Sequence, residues 1–321
     1  MGDLREDVVQ LAKDLQAFKW YYSGCSAVLF YDYVLTFAAE VKHVWKGRRG
    51  LVFYLFLLNR YIPMIFCIVT LFAYFSALWT SEVCQRFAIV EWLQALLVVL
   101  PAETMLLIRV NALMGHRKLI YIPLILLLLA QCIVVVYAMA QPGENNALHL
   151  PDVPIDPFHV CILYSNPKMD IAYLSICIAF DSIVFTITLL ATMLDRSLPR
   201  PHQSPVIRTI QWDGALYFCA ILSGTVTWMV LSIHGRPGIK LMNAQPSMLL
   251  TSIMVSRLTL SLRRANQKAQ MFATSMNTQS DLPLNILDSD GRFSDRQQPP
   301  TRPRRPRPRP NTVLPVYFTQ I

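Results

Sequence analysis

Charged residues are scarce in this sequence, where they make up 15% of 321 residues while hydrophobic residues make up 54%. A soluble domain usually carries about a quarter charged residues. The apolar residues are also gathered into runs long enough to cross a bilayer, for which about 20 residues suffice. The shortage of charge therefore excludes an ordinary soluble domain. It predicts an all-α integral membrane protein whose main partner is the lipid bilayer.

Motifs of catalysis and processing are missing too. The sequence holds neither a His-Glu-x-x-His nor a Gly-x-Ser-x-Gly pattern, and its six histidines fall in predicted loops. A zinc hydrolase within the membrane would need histidine ligands inside its spans or at their ends. We therefore predict a protein without catalysis, with no catalytic residue, metal or cofactor. Residues 1–18 lack the apolar core and cleavage site of a secretory signal peptide, so we expect none.

Seven apolar runs predict a bundle of seven transmembrane helices. They cover about residues 20–39, 51–79, 87–110, 119–140, 169–194, 215–233 and 241–262. We assign residues 1–19 to an extracellular N-terminal segment and 20–263 to the membrane domain. Residues 264–321 are rich in polar residues and proline without a sustained period, so we expect a disordered tail. Pro63 and Pro101 fall within predicted helices, where proline usually produces a kink.

The distribution of lysine and arginine predicts the orientation. If the N-terminus lies outside, the loops that would then face the cytoplasm carry more of these residues than the outside loops do. Cytoplasmic loops are enriched in lysine and arginine. We therefore expect an outside N-terminus and a cytoplasmic tail, in the plasma membrane because no terminal Lys-Asp-Glu-Leu signal is present. The net charge of +9 arises largely from these loops and the tail, and does not indicate nucleic acid.

Two of the seven cysteines, Cys84 and Cys161, fall in predicted outside loops, where disulfides can form. We predict that they form one bridge, and the alternative is two unpaired thiols. The other five lie within or beside predicted spans, where cysteine usually acts as a small apolar packing residue. These are Cys25, Cys67, Cys132, Cys177 and Cys219.

Several charged residues fall inside the predicted spans, where charges are costly and usually face the bundle interior. Four of them lie in one layer, about 9 to 15 Å from the inner ends of their spans, at a rise of about 1.5 Å per residue. These are Asp32, Arg60, Glu103 and Arg257. We predict that they form one buried network, with Arg109 below it at the membrane edge and Asp181 apart, nearer mid-bilayer. The network is either a switch that a ligand or proton shifts, or a fixed clamp that specifies helix pairing.

The tail carries a basic proline-rich segment, residues 299–310, which favours an extended polyproline helix. Pro300, Pro303 and Arg305 fit the P-x-x-P-x-R pattern that proline-recognition domains bind, which predicts a cytoplasmic protein partner. The alternative is a solvated basic tail that lies near anionic lipid of the inner leaflet.

Motifs spread over about 250 residues resemble a known family. In the first two spans they are Tyr31-Asp32-Tyr33, Glu40-Val41, Trp45 and Leu57-Leu58-Asn59-Arg60-Tyr61. Downstream they are Arg109-Val110, Phe180-Asp181, Asp213-Gly214 and Ser256-Arg257-Leu258. The chain is similar in these motifs to the fungal, mainly basidiomycete, family called domain of unknown function 6533, which covers about residues 20–65. Asn111 departs from it, since the family usually has an aromatic residue there. The resemblance implies a multi-span fungal membrane protein and no known activity.

The predicted layout favours a receptor or sensor for an unidentified small-molecule ligand. The detailed receptor motifs are absent, since Ile108 precedes Arg109 where an acid is usual and the seventh span lacks Asn-Pro-x-x-Tyr. A transporter or channel is the first alternative, because Asp32, Glu103 and Asp181 could relay protons or bind cations. The lack of an internal repeat and the odd number of spans disfavour it. A structural or interaction protein without catalysis is the second alternative.

Overall fold

The structure is a computed structural model that describes residues 2–46, 49–76, 81–115, 118–141, 146–147, 163–164, 166–197, 205–236 and 238–280. This part of the chain contains seven α-helices and a short π-helix. The helices are α1 (Gly2–Glu40), which runs into the π-helix (Val41–Trp45), α2 (Leu51–Phe75), α3 (Ser81–Leu113), α4 (Lys118–Ala140), α5 (Pro167–Ser197), α6 (Pro205–His234) and α7 (Ala244–Ser280). Two short strands, β1 (Asn146–Ala147) and β2 (Leu163–Tyr164), pair antiparallel between α4 and α5.

Six of the helices are long and apolar enough to cross a membrane. The candidate spans are Val9–Trp45, Leu51–Phe75, Glu82–Leu113, Lys118–Ala140, Pro167–Ala191 and Gly214–His234. The all-α prediction is confirmed, and the six spans indicate an integral membrane protein. Pro63 and Pro101 lie within the continuous helices α2 and α3, and their expected kinks stay predictions.

The bundle is apolar on its outside and polar in places on its inside. Beyond Lys118 at its start, the exposed large side chains of α4 are apolar or aromatic: Leu119, Ile122, Leu126, Leu129, Ile133, Val136 and Tyr137. Apolar surface of this extent is unusual on a soluble monomer and is typical of contact with lipid. Meanwhile Gln131, on the same helix, is buried. This inverted distribution is what a bilayer environment demands of a helix bundle.

The first helix begins much earlier than the sequence analysis predicts. Residues 2–19 are helical and continuous with the first span, and their extracellular location stays a prediction. Leu15, Phe18 and Tyr22 are buried, and the rings of Phe18 and Tyr22 both pack edge-to-face on Tyr74 of α2. These three residues recur every three or four positions and so share one helix face. Charged residues just before this stripe, such as Lys13 and Asp14, and Lys19 within it make the segment read as polar.

Further boundaries also differ. Helix α2, which corresponds to the predicted second span, ends at Phe75. Helix α6 starts at Pro205, ten residues before the predicted sixth span at 215–233. At the C-terminal end, α7 continues to Ser280, so residues 264–280 are helical where we expected disorder. The rest of the predicted tail, including the proline-rich segment at 299–310, lies outside the described residues.

The last helix is polar, yet it is packed on several sides. It contacts α1, α2, α3 and α6. Six of its polar side chains are buried: Gln245, Ser247, Thr251, Ser252, Ser256 and Thr259. These residues keep α7 out of the six apolar candidate spans. Because the neighbouring helices shield α7, its own residues need not be uniformly apolar.

Replacing Phe18 with alanine tests whether the N-terminal part of α1 belongs to the bundle. We expect Phe18→Ala to destabilise the protein by about 3–5 kcal/mol, because it removes a buried aromatic ring from the contact with Tyr74. Trp20→Ala is the matched control, since Trp20 is 69% exposed. The measurement is the melting temperature of the purified protein in detergent. Equal losses for the two variants would contradict this packing.

Candidate functional site

The best-satisfied buried charge is Glu40, at the end of α1. Its side chain is fully buried, and its Oε2 lies 2.7 Å from Nε of Arg60 on α2. The hydroxyl of Tyr61 donates to Oε1 of Glu40 at 2.9 Å, and the indole Nε1 of Trp45 donates to the same oxygen at 3.1 Å. A buried carboxylate is tolerated only when it is paired and hydrogen-bonded in this way.

Arg60 is equally well enclosed. Its Nη2 donates to the backbone oxygen of Tyr33 at 3.1 Å and to Oγ1 of Thr36 at 2.7 Å. The guanidinium also lies over the ring of Tyr33, 4.6 Å from the ring centre, which adds a cation–π contact. We call this set the Glu40 clamp; its members are Tyr33, Thr36, Glu40, Trp45, Arg60 and Tyr61.

The π-helix explains how Trp45 reaches Glu40. In an α-helix, side chains three or four positions apart are neighbours, whereas residues five apart lie on different faces. A π-helix pairs residues five apart, and such segments often occur at functional sites. Val41–Trp45 forms one π-helical segment directly after Glu40. The change in helical pitch therefore places the indole beside the carboxylate.

A second ion pair joins α1 to α7. Nε of Arg257 donates to Oδ1 of Asp32. Asp32 is buried, but the side chain of Arg257 is 40% exposed, so this pair is only partly enclosed. A partly solvated pair contributes less to stability than its distance suggests, and it is easier to break than the Glu40 clamp.

A third polar contact joins α2 to α7. Nδ2 of Asn59 donates to the backbone oxygen of Ser252 at 3.1 Å and to Oγ of Ser256 at 3.0 Å, while Oγ of Ser252 donates to the backbone oxygen of Asn59. Asn59 and Arg60 are adjacent, so neighbouring residues of α2 bind different helices. We call the contacts of Asp32 with Arg257 and of Asn59 with Ser252 and Ser256 the α7 latch.

Glu103 and Asp181 form a separate polar cluster among α3, α4, α5 and α6. Nε2 of Gln131 donates to Oε1 of Glu103 at 3.0 Å, and Oγ1 of Thr225 donates to Oδ2 of Asp181 at 3.1 Å. The same Gln131 nitrogen also lies 3.1 Å from Sγ of Cys177. Cys177 lies four residues before Asp181 on α5, so Gln131 joins Glu103 to the same turn and face of α5 that carries Asp181. We call Glu103 and Asp181 the carboxyl pair.

The structure thus divides the network that the sequence predicts. Asp32 and Arg257 bind each other, as expected of members of one layer, but Arg60 binds Glu40 instead of a member of the predicted set. Glu103 is joined through Gln131 to Cys177, one helical turn from Asp181 on α5, so Asp181 lies closer to Glu103 than predicted. Glu40 was overlooked because it was counted as the inner end of the first span. The family motif that contains Glu40-Val41 and Trp45 is the sequence signal that could have identified it.

Arg109 contacts α6, and its predicted position at the membrane edge stays a prediction. Its guanidinium lies over the ring of Phe218 on α6, 5.5 Å from the ring centre. A Cβ atom added at Gly214 would lie 2.7 Å from Nη2 of Arg109, so glycine leaves room for the guanidinium there. Within the described residues, Arg109 joins neither ion pair of the α7 latch and Glu40 clamp.

The thiols follow the sequence analysis as far as the structure describes them. Cys84, in the first turn of α3, is disulfide-bonded. Its predicted partner, Cys161, lies outside the described residues, so the pairing itself stays a prediction. The other five cysteines are free: Cys25, Cys67, Cys132, Cys177 and Cys219.

The described residues include two of the six histidines, His43 and His234. His43 lies in the π-helix and pairs through Nδ1 with Oε1 of Gln267, and His234 ends α6, so both are helical rather than in loops as predicted. In the described ranges, no group of three or more His, Cys, Asp or Glu side chains is placed to hold a metal ion.

Apolar helices that enclose paired charges define a multi-pass helical membrane protein. Residues 21–65 match the family described as a family of unknown function (DUF6533), which confirms the resemblance. This match contains every member of the Glu40 clamp, together with Asp32 and Asn59. No curated protein and no solved structure matches the chain. The fungal origin stays an implication of the resemblance.

The Glu40 clamp makes a direct prediction about stability. Glu40→Gln keeps the shape of the side chain but leaves the buried Arg60 without a counter-charge, which costs about 3–5 kcal/mol for pairs of this kind. We expect a strongly reduced melting temperature and a lower yield of monodisperse protein on size-exclusion chromatography. Glu82→Gln is the control, because Glu82 and its partner Arg86 are both highly exposed and such pairs contribute about 0–1 kcal/mol.

The double variant Glu40→Gln with Arg60→Met completes this test. Removing both charges leaves no unpaired ion in the bundle, so we expect it to be more stable than Glu40→Gln alone. A double variant that loses as much as the sum of the two single variants would show that the ion pair is not the source of the effect.

Proposed function

We propose that this chain is a receptor- or sensor-type membrane protein with seven spans, an outside N-terminus and a cytoplasmic tail. The six apolar helices supply six spans, and α7 is the seventh. The burial of α7 against α1, α2, α3 and α6 supports this count, since a helix in that position runs through the bundle rather than along its surface. The proposal includes no catalytic step.

The disulfide and the basic residues support the orientation. With seven spans, the N-terminal end of α3 lies on the same side as the N-terminus of the chain. Cys84 is at that end and is disulfide-bonded, and disulfides form mainly outside the cytosol. Lysine and arginine occur at the opposite ends, among them Lys42, Lys46, Lys118, Arg263 and Arg264. We place the protein in the plasma membrane.

The observation that carries the proposal is the α7 latch. It fastens α7 to α1 and α2 through a few polar contacts, one of which is a half-exposed ion pair. The helix then continues to Ser280, well beyond Arg257, on the proposed cytoplasmic side. A small-molecule ligand or a proton that weakens the latch would move the inner part of α7. Local charge changes at two-state contacts are a common basis of switching in helix bundles.

The carboxyl pair favours a second candidate, a cation transporter or channel. Two acids on facing helices inside a membrane bundle mark ion and proton pathways in many proteins. The receptor proposal and this alternative share the fold and differ in whether an ion crosses the membrane. An ion-flux assay on protein in liposomes separates them, because a receptor gives no flux above empty liposomes.

Topology and thiol state test the proposed orientation. We expect an N-terminal tag to be accessible in intact cells and a C-terminal tag to be accessible only after permeabilisation. Alkylation of unreduced, denatured protein should label the five free cysteines, and reduction should add two more of the seven in the chain. Cys84→Ser is the control, since it should leave every remaining thiol reactive without reductant. An inside N-terminus or seven reactive thiols before reduction would contradict the proposal.

Asp32→Asn tests the switch. If the latch holds α7 in one of two arrangements, the variant should show faster amide hydrogen exchange in the inner part of α7 than the wild type. The melting temperature should change little, because the broken pair is partly solvated. A fixed clamp predicts the reverse, a lower melting temperature without selective exchange in α7. Glu82→Gln again serves as the control, as it removes an acid from an exposed pair.

A further inference from the structure

The carboxyl pair is the one buried polar cluster that no described cation balances. Glu103 is 2% exposed and Asp181 is 7% exposed, so neither carboxyl group is solvated. Within the described residues, the acids that form ion pairs are Glu40, Asp32, Asp14 and Glu82, and neither Glu103 nor Asp181 takes part in one. The two acids therefore differ from every other buried acid whose partner is described above.

The surroundings of the pair are polar but uncharged. Gln131 and Thr225 each donate one hydrogen bond to it. The ionisable groups that interact with the pair from α4 and α5 are Cys132, Tyr173 and Cys177, none of which carries a positive charge. On α3, Arg109 lies six residues from Glu103, about 9 Å along the helix, and its guanidinium lies over Phe218.

One oxygen of the pair is left without a partner. Oε2 of Glu103 is buried and accepts no hydrogen bond from the described residues, whereas Oε1 is bound by Gln131. A buried carboxylate oxygen without a donor is costly, and it is rare in folded proteins. This buried acceptor is a separate observation from the proximity of the two acids, and it would be satisfied by a proton or a cation.

We propose that Glu103 and Asp181 form a buried site for a single positive charge, either a proton or a sodium ion. Two carboxylates that face each other away from water cannot both stay ionised without compensation. A proton would convert Oε2 of Glu103 into a donor, as in other carboxyl pairs that share one proton. A sodium ion would take oxygen ligands, which the two carboxyl groups and the hydroxyl of Thr225 supply.

This site is independent of the receptor proposal. A proton or sodium ion bound between α3 and α5 would stabilise one packing of the bundle whether the protein signals, transports ions or does neither. Conversely, the receptor proposal rests on the α7 latch and the proposed topology, and neither depends on Glu103 or Asp181.

Thermal unfolding of the full chain in detergent tests the site and separates the two ions. The melting temperature is measured from mildly acidic to mildly alkaline pH, with sodium chloride replaced by choline chloride at constant ionic strength. Bound sodium raises the melting temperature with sodium concentration, and choline does not. A bound proton gives a melting temperature that falls as pH rises, independently of sodium, because the folded state then holds a proton that the unfolded state releases.

Glu103→Gln and Asp181→Asn decide whether the response arises at the pair. Each amide keeps the shape of the acid and removes its charge, so we expect the sodium or pH response of the wild type to be lost or strongly reduced in both. Glu82→Gln, an exposed acid on the same helix, should keep the full response. If Glu103→Gln fails to fold, Asp181→Asn and the wild-type titration still give the answer. A wild type that responds to sodium and pH no more than Asp181→Asn does would overturn the proposal.

Discussion

The bundle depends on the pairing of charges that it removes from water. In a low-dielectric interior an unpaired ion costs several kcal/mol, so each buried acid and base constrains the helices that carry it. Glu40 and Arg60 fix α1 against α2, and Asp32 and Arg257 fix α1 against α7. Apolar packing cannot supply this specificity, because lipid is as apolar as the helix surfaces and does not drive them together.

These two ion pairs of α1 differ in how far they are exposed to solvent. The Glu40 clamp is enclosed, with both partners buried and several neutral donors around them. The pair in the α7 latch is partly open on the side of Arg257. The clamp is therefore suited to holding α1 and α2 as one unit, while the latch is suited to a contact that changes. The family match covers the unit, and α7 lies outside it.

The sequence predicted the layer in which several charges lie, since helix rise converts residue number into depth. Depth does not give direction around the helix axis, so Arg60 could not be assigned to Glu40 from position alone. The π-helix after Glu40 shifts that direction again and carries no clear sequence signal. The early start of α1 is not evident from the sequence because residues 3–14 contain six charged residues, which outweigh the apolar face of Leu15, Phe18 and Tyr22. By contrast, the apolar run at 241–262 does coincide with a helix, α7, since its leucines persist among the serines and threonines, while its role as a seventh span stays a prediction.

The polarity of α7 has a consequence for biogenesis. Its serines, threonines and arginine make it a poor candidate for insertion into lipid as an isolated segment, because the partners of its polar groups are on α1 and α2. These helices are synthesised first and must remain accessible until the last helix leaves the ribosome. If α7 is the seventh span, as proposed, Asp32 and Asn59 enter the membrane before their partners on α7 are synthesised. In this order, α1 and α2 provide the polar groups that α7 binds when it arrives. The order of synthesis therefore determines the order of assembly.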